Sequence, residues 1–124
     1  MGAWGRVENV SVTIDDVREV AQGLPRSSEV LASDRLRFRV GRVVWLAVSP
    51  DETRMGFAFP REEREVLVAS EPGVFLLPRA SDLRFHWVEV RLGALDPRRM
   101  REIVLDAWRF VVPSAVAGVT EHTG

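Results

Sequence analysis

Basic and apolar side chains alternate in one short stretch of this chain. Arg35, Arg37 and Arg39 occupy every second position between residues 35 and 40, and the positions between them are apolar. A guanidinium group is planar and donates several hydrogen bonds in a fork that suits phosphate oxygens. Every second residue of a β-strand points to the same side at a spacing of about 7 Å, close to the phosphate spacing of a nucleic-acid strand. The stretch therefore predicts a strand with one apolar side and one side able to contact phosphates.

Three further residues extend this predicted basic surface. Arg42 follows the strand in a turn, Arg54 lies on a later strand, and Trp87 lies on a strand before the last helix. A tryptophan on such a face can stack on a base. An ordinary solvated sheet face, with arginine stems lying over apolar neighbours, explains the same pattern without any ligand. The candidate nucleic-acid-binding residues are Arg35, Arg37, Arg39, Arg42, Arg54 and Trp87.

The basic strand belongs to a predicted β-hairpin. Gly41 and the arginine after it separate the strand from the apolar run Val43–Val48. A glycine at the first central position of a two-residue loop favours a type II′ turn. Strict alternation in the second strand places Trp45 on the opposite face from Val44 and Leu46, where it can pack under a helix. The hairpin thus supplies a core side and an arginine-bearing side.

Two helices have clear sequence signals at their start. The first is predicted over roughly residues 13–22, with Thr13 as N-cap and Asp16 as its capping-box partner. The last has Asp96 as N-cap and Pro97 at its first position, followed by apolar residues at helical spacing. Both helices are therefore expected to bury one apolar stripe against a neighbour.

A middle helix and several strands complete the predicted fold. The middle helix follows Pro60, with Val66 and Leu67 facing inward. Runs of strands flanked by helices indicate an α+β domain. We predict a single domain with an antiparallel sheet of four to six strands and the N-terminal, middle and C-terminal helices packed on one face. The strand segments are Arg35–Val40, Val43–Val48, Thr53–Phe59 and His86–Leu92, and the short segments Ser28–Ala32 and Val74–Pro78 would bring their number to six.

Domain limits follow from the ends of these patterns. The chain has 124 residues, which is enough for one hydrophobic core. We predict an N-terminal lead at residues 1–11, the folded α+β domain at 12–113 and a flexible C-terminal tail at 114–124.

A second group of basic residues opens the last helix. It consists of Arg98, Arg99 and Arg101. Cations at a helix N-terminus oppose the helix macrodipole, and a phosphate bound at this end would explain their position. Solvated surface charge is the simpler explanation.

Composition argues against catalysis and against metal binding. The 17 basic residues are all arginine, there are two histidines, and there is no cysteine. Thiolate chemistry and thiolate metal sites are therefore excluded, and two histidines without a carboxylate cluster do not make a zinc site. We expect no enzyme activity, no catalytic residue, no metal and no cofactor.

Charge and hydropathy restrict the partners. The formal net charge is −1, so nucleic-acid binding would depend on local charge asymmetry. No apolar run reaches the length of a membrane span, and nothing near the N-terminus resembles a signal peptide. We expect a cytoplasmic protein without a membrane partner, monomeric or weakly dimeric.

Four segments of the chain stand in an order typical of a known family. They are VREVAQGLPRSSEV, LRFRVGRVVWLAVSPDE, HWVEVRL and DPRRMREIVLDAWRFVV. Their order and spacing over residues 12–113 resemble the MmcQ/YjbR family, in which Leu24, Pro25, Gly41 and Trp87 match recurring positions. The resemblance implies an α+β domain similar to the double-wing DNA-binding fold and to the frataxin-like arrangement. It also implies the DNA-binding label that the family carries.

Two hypotheses about function follow. The first is a non-enzymatic domain that binds double-stranded DNA weakly through the arginine-bearing sheet face, by phosphate contacts and without a base-reading helix. The second is a protein- or small-ligand-interaction module of the same fold with no affinity for nucleic acid. Unpaired arginines favour the first hypothesis, whereas ion pairs to Glu89, Asp34 or Glu52 favour the second.

Overall fold

The computed structural model describes residues 12–32 and 35–113. The predicted lead at 1–11, the tail at 114–124 and Asp34 lie outside these described residues. The α-helices are α1 (Ile14–Gln22), α2 (Arg64–Ser70) and α3 (Pro97–Val111). The strands are β1 (Ser27–Ala32), β2 (Arg35–Val40), β3 (Val43–Val48), β4 (Arg54–Ala58), β5 (Phe75–Leu76) and β6 (Trp87–Arg91).

The six strands form one antiparallel sheet in the order β1-β2-β3-β4-β6-β5. The helices α1 and α3 pack against each other, α3 lies across β3 and β4, and α2 packs against β5. The architecture is α+β with the helices on one face, as predicted. None of the helices in the described residues is long and apolar enough to cross a membrane.

The hydrophobic core lies between the helices and one face of the sheet. Phe38, Leu46, Phe57 and Val88 are cross-strand partners and form a row across four strands. All four are buried, and Trp108 of α3 is buried in the same core. Burial of each such side chain contributes about 1.5–3 kcal/mol. The core thus fixes which face of β2, β3, β4 and β6 is turned away from the helices.

A β-bulge moves Trp45 to the core side of the sheet. Phe38 pairs with Leu46 and Arg39 pairs with Val44, so Trp45 is an extra residue on β3. An extra residue interrupts the alternation of faces. Trp45 is fully buried, and its ring centroid lies 6.2 Å from that of Phe38. The prediction that Trp45 and Leu46 lie on opposite faces is therefore wrong.

The helix caps agree with the sequence signals. The Thr13 hydroxyl accepts a hydrogen bond from the Asp16 N–H, and the Asp16 carboxylate accepts one from the Thr13 N–H at 2.9 Å. The Asp96 carboxylate accepts a hydrogen bond from the Arg99 N–H at 2.7 Å. Each cap satisfies an N–H group that has no partner within its helix.

Helix α2 buries a charged residue instead of the predicted valine. Val66 is 73% exposed, which contradicts the inward orientation predicted for it. Arg64 is 7% exposed, and its Nη1 atom donates to the carbonyls of Phe85 and Trp87, both at 3.0 Å. Its Nη2 atom donates to the carbonyl of Leu83 at 2.7 Å. Arg64 therefore holds the irregular segment that leads into β6.

The turn between β3 and β4 is organised by Asp51. Its carboxylate accepts hydrogen bonds from the Ser49 hydroxyl at 2.7 Å, the Thr53 hydroxyl at 2.8 Å and the Thr53 N–H at 3.1 Å. These hydrogen bonds lower the pKa of Asp51 from 3.8 to about 2, and the hydrogen bond from Ser49 has the largest effect. A carboxyl group with a lowered pKa in the folded state stabilises the fold while it is ionised.

We expect Asp51→Asn to reduce the loss of stability in acid. The stabilisation from the ionised Asp51 is complete above its unfolded-state pKa near 3.8 and is lost as the pH falls to about 2. Asparagine does not titrate. The thermal midpoint of the Asp51→Asn variant should therefore fall less between about pH 5 and about pH 2 than the midpoint of the unmodified protein. All other carboxylates are common to both proteins, so equal decreases would contradict the assignment.

Candidate nucleic-acid interface

The sheet surface opposite the helices is called the arginine face here. The pairing register places Arg37 opposite Ala47, Ala47 opposite Gly56, and Gly56 opposite Glu89. Directly paired residues share a face, and every second residue of a strand shares it too. Arg35, Arg37, Arg39, Arg54 and Trp87 therefore lie on one face, as the alternation predicted. The members of the arginine face are Arg35, Arg37 and Arg39 of β2, Arg54 of β4, and Trp87, Glu89 and Arg91 of β6.

Arg42 lies at the tip of the β2–β3 hairpin. Gly41 has a φ of +60°, a conformation that glycine adopts without strain. Arg42, the next residue, does not have a positive φ. A positive φ at the first central residue alone is the type II′ pattern predicted for this loop. The Arg42 side chain is exposed at the tip, beyond the last residue pair of the two strands. It extends the charge of the arginine face past the edge of the sheet.

The described strands of the sheet carry one acidic residue on each face. Glu29 of β1 lies on the helix side, where its carboxylate accepts hydrogen bonds from Arg18 at 3.2 Å and Gln22 at 2.7 Å. Glu89 lies on the arginine face and pairs with Nη1 of Arg54 at 3.1 Å. This ion pair neutralises Arg54. It is the pairing with Glu89 that the second hypothesis predicts.

Among the described residues, no carboxylate neutralises the remaining arginines of the face or Arg42 in this way. Glu52 forms no ion pair with them in the described ranges 12–32 and 35–113. Unpaired guanidinium groups on one surface create the local positive potential that a polyanion requires. Within those ranges, no carboxylate lies within 4.0 Å of the charged nitrogens of Arg35, Arg37, Arg39, Arg42 and Arg91.

Trp87 lies across the middle of the arginine face. Its indole extends diagonally over Gly56, where an added methyl group would lie 2.5 Å from the indole Nε1 atom. A glycine in a strand often marks such a close approach. Ala58, the direct partner of Trp87 on β4, is 5% exposed, and Trp87 itself is partly exposed. The tryptophan therefore covers part of the sheet and also presents an aromatic surface among the arginines.

Comparison with known proteins identifies the family. A family model described as YjbR matches residues 22–110, which is most of the chain. The chain belongs to the YjbR family. A crystal structure of Deinococcus radiodurans protein DR2400, with the family-model domain DUF419, is similar to it with a TM-score of 0.68 and 26% sequence identity. The alignment covers 80% of this chain and 78% of that chain. No curated protein matches the chain.

Arg99 of the second basic cluster has a structural role in this YjbR domain. Nη1 of Arg99 contacts Oε1 of Glu71 at 2.7 Å, Nη2 contacts Oε2, and the guanidinium group lies 5.2 Å from the centroid of the Phe75 ring. The hydrogen bonds between the two side chains lower the pKa of Glu71 and raise that of Arg99. Arg98 pairs with Glu102 at 3.7 Å. These ion pairs account for Arg98 and Arg99 at the start of α3.

His86 also makes structural contacts in this YjbR domain. Its Nδ1 atom accepts a hydrogen bond from the Arg61 N–H at 3.0 Å. Its ring packs against Phe110 with 5.3 Å between the ring centroids. Within the part of the chain that the structure describes, no three histidine or acidic side chains are grouped as a metal site requires.

Proposed function

We propose that this YjbR-family domain is a non-enzymatic protein that binds double-stranded DNA weakly through the arginine face. One observation supports the proposal above all: four guanidinium groups of this surface, and that of Arg42 at the adjoining hairpin tip, have no carboxylate partner among the described residues. Phosphate oxygens are the natural partners of such groups. The proposal includes a cytoplasmic location, because the proposed ligand is DNA inside the cell.

The position of the helices limits sequence specificity. Within residues 12–32 and 35–113, all three α-helices lie on the opposite side of the sheet from the arginine face, so these residues place no recognition helix on it. Phosphate contacts fix the position of a protein on DNA but do not read its sequence. The proposed binding is therefore weak, sensitive to salt and tolerant of sequence.

A different observation favours protein binding as a second candidate function. Phe59, Val66 and Leu67 line an apolar groove that is bordered by Glu62 and Glu63. Such a groove suits a short apolar segment with basic residues from another protein. In that case Val66→Asp would abolish partner binding, whereas charge reversal on the arginine face would not.

Salt dependence tests the proposal directly. We expect a labelled duplex of about 20 base pairs to bind in fluorescence anisotropy at about 50 mM salt. If about four phosphates are neutralised, affinity should fall roughly 100-fold on raising the salt to about 200 mM. Binding that does not respond to salt would contradict a phosphate interface, and absence of binding at the lower salt would reject the proposed function.

A further inference from the structure

The arginine face is broader than any groove of duplex DNA. Its six strands, spaced about 4.8 Å apart, give a surface about 24 Å across. The major groove of B-DNA is about 12 Å wide and admits one helix or a two-stranded ribbon. An undistorted B-form duplex on this surface therefore presents its backbone, while its bases remain stacked inside the helix.

Trp87 has no role in a contact that involves the backbone alone. Its indole lies over Gly56, and Ala47 is the residue on the neighbouring strand β3 that separates Gly56 from Arg37. Strands β2 and β4 are roughly 10 Å apart. Because Ala47 is small, the sheet surface between the indole and β2 is a shallow depression, which we call the floor. Guanidinium groups line one side of this floor, and the indole borders the other.

The charge of this surface specifies the chemistry of its occupant. Arg35, Arg37 and Arg39 repeat at about 7 Å along β2 and have no carboxylate partner in the described ranges. A single nucleic-acid strand has phosphates at a similar spacing and can turn its bases towards the protein. A strand lying along β2 would therefore place phosphates on the arginines and a base towards Trp87.

We infer that the arginine face prefers single-stranded nucleic acid, with an unpaired base against Trp87 and the adjacent phosphates on Arg37 and Arg39. The inference rests on the proposed function, because it assigns the preferred ligand of the same surface. Every base has a π-face, so stacking on tryptophan adds affinity without sequence specificity. A duplex binds through the arginines alone and gains nothing from Trp87.

The test compares a labelled oligo(dT) of about 20 nucleotides with a duplex of the same length. Trp87→Leu keeps an apolar side chain over Gly56 but removes the π-face. We expect it to weaken single-strand binding about tenfold and to change duplex binding less than about twofold. Trp87→Phe retains an aromatic face and should recover most of the lost affinity. Thermal unfolding verifies that both variants are folded.

A spectroscopic readout supports the same test without the leucine variant. Trp45 and Trp108 are fully buried, whereas Trp87 is partly exposed. Trp4 lies outside the described residues, so the measurement uses a Trp4→Phe background. In that background oligo(dT) should quench tryptophan emission, and Trp87→Phe should remove most of this quenching. Quenching that persists in Trp87→Phe contradicts a base at this position.

The possible results separate the inference from the proposed function. Tighter binding of the duplex than of oligo(dT), or an equal effect of Trp87→Leu on both ligands, overturns the inference and leaves duplex binding intact. Binding of neither ligand to the unmodified protein at about 50 mM salt overturns both. Selective loss of single-strand affinity supports both.

Discussion

Reversing the charges of Arg37 and Arg39 together should reduce duplex affinity at least about 100-fold at about 50 mM salt. Each phosphate contact contributes about tenfold at this salt concentration through counterion release, and two contacts are lost. Repulsion between the new glutamates and the phosphates adds to the loss. Neither arginine has a carboxylate partner among the described residues, so the double variant breaks no ion pair there. Fluorescence anisotropy with the labelled duplex measures the effect.

A matched control separates local charge from net charge. Arg98→Glu/Arg101→Glu introduces the same change of charge at the start of α3, on the helix side of the sheet. It breaks one exposed ion pair, between Arg98 and Glu102, which contributes little to stability. We expect this control to lose far less affinity than Arg37→Glu/Arg39→Glu. Equal losses would show that overall charge, and not the arginine face, determines binding.

The sheet faces could be predicted because they depend on local rules. Alternation over residues 35–40 determines the two sides of β2, and the core then selects the side that is buried. The same rule applies to Arg54 on β4 and Trp87 on β6. Caps at Thr13 and Asp96 involve residues three positions apart, so the sequence alone contains the complete interaction. The family resemblance added the order in which these elements occur.

The bulge at Trp45 could not be predicted from alternation. An apolar run such as Val43–Val48 contains no polar residue to mark the side that faces water. The extra residue becomes visible only in the pairing of β3 with β2. Trp45 is then buried against Phe38.

Contacts between segments that are far apart in the sequence could not be predicted either. Helix α2 has seven residues, which are too few for periodicity to determine which side is buried. The inward orientation predicted for Val66 is therefore wrong. Arg64 was missed because an arginine is normally exposed, and its carbonyl partners lie 19 to 23 residues further along. The sequence signal was an arginine in the first turn of a helix rich in apolar residues. The Arg99–Glu71 ion pair spans 28 residues and was missed for the same reason.

Replacing Arg64 with methionine should lower the free energy of unfolding by about 3 kcal/mol. The substitution removes three donors from carbonyls of the segment before β6, and an unpaired buried carbonyl costs about 1–3 kcal/mol. Removal of a buried charge offsets part of this cost, since Nε of Arg64 is buried without a hydrogen-bond partner. Urea denaturation followed by circular dichroism measures the difference.

Arg61→Met is the matched control for this prediction. Arg61 lies three residues earlier and also donates to a main-chain carbonyl, that of Arg84, but its side chain is 50% exposed. Water can replace its hydrogen bond, so the loss should stay below about 1 kcal/mol. Equal effects of the two substitutions would mean that burial of Arg64 does not matter. If Arg64→Met is as stable as the unmodified protein, the desolvation of the guanidinium group cancels its three hydrogen bonds. The expected difference would instead show that a buried arginine fixes the segment from which Trp87 reaches the arginine face.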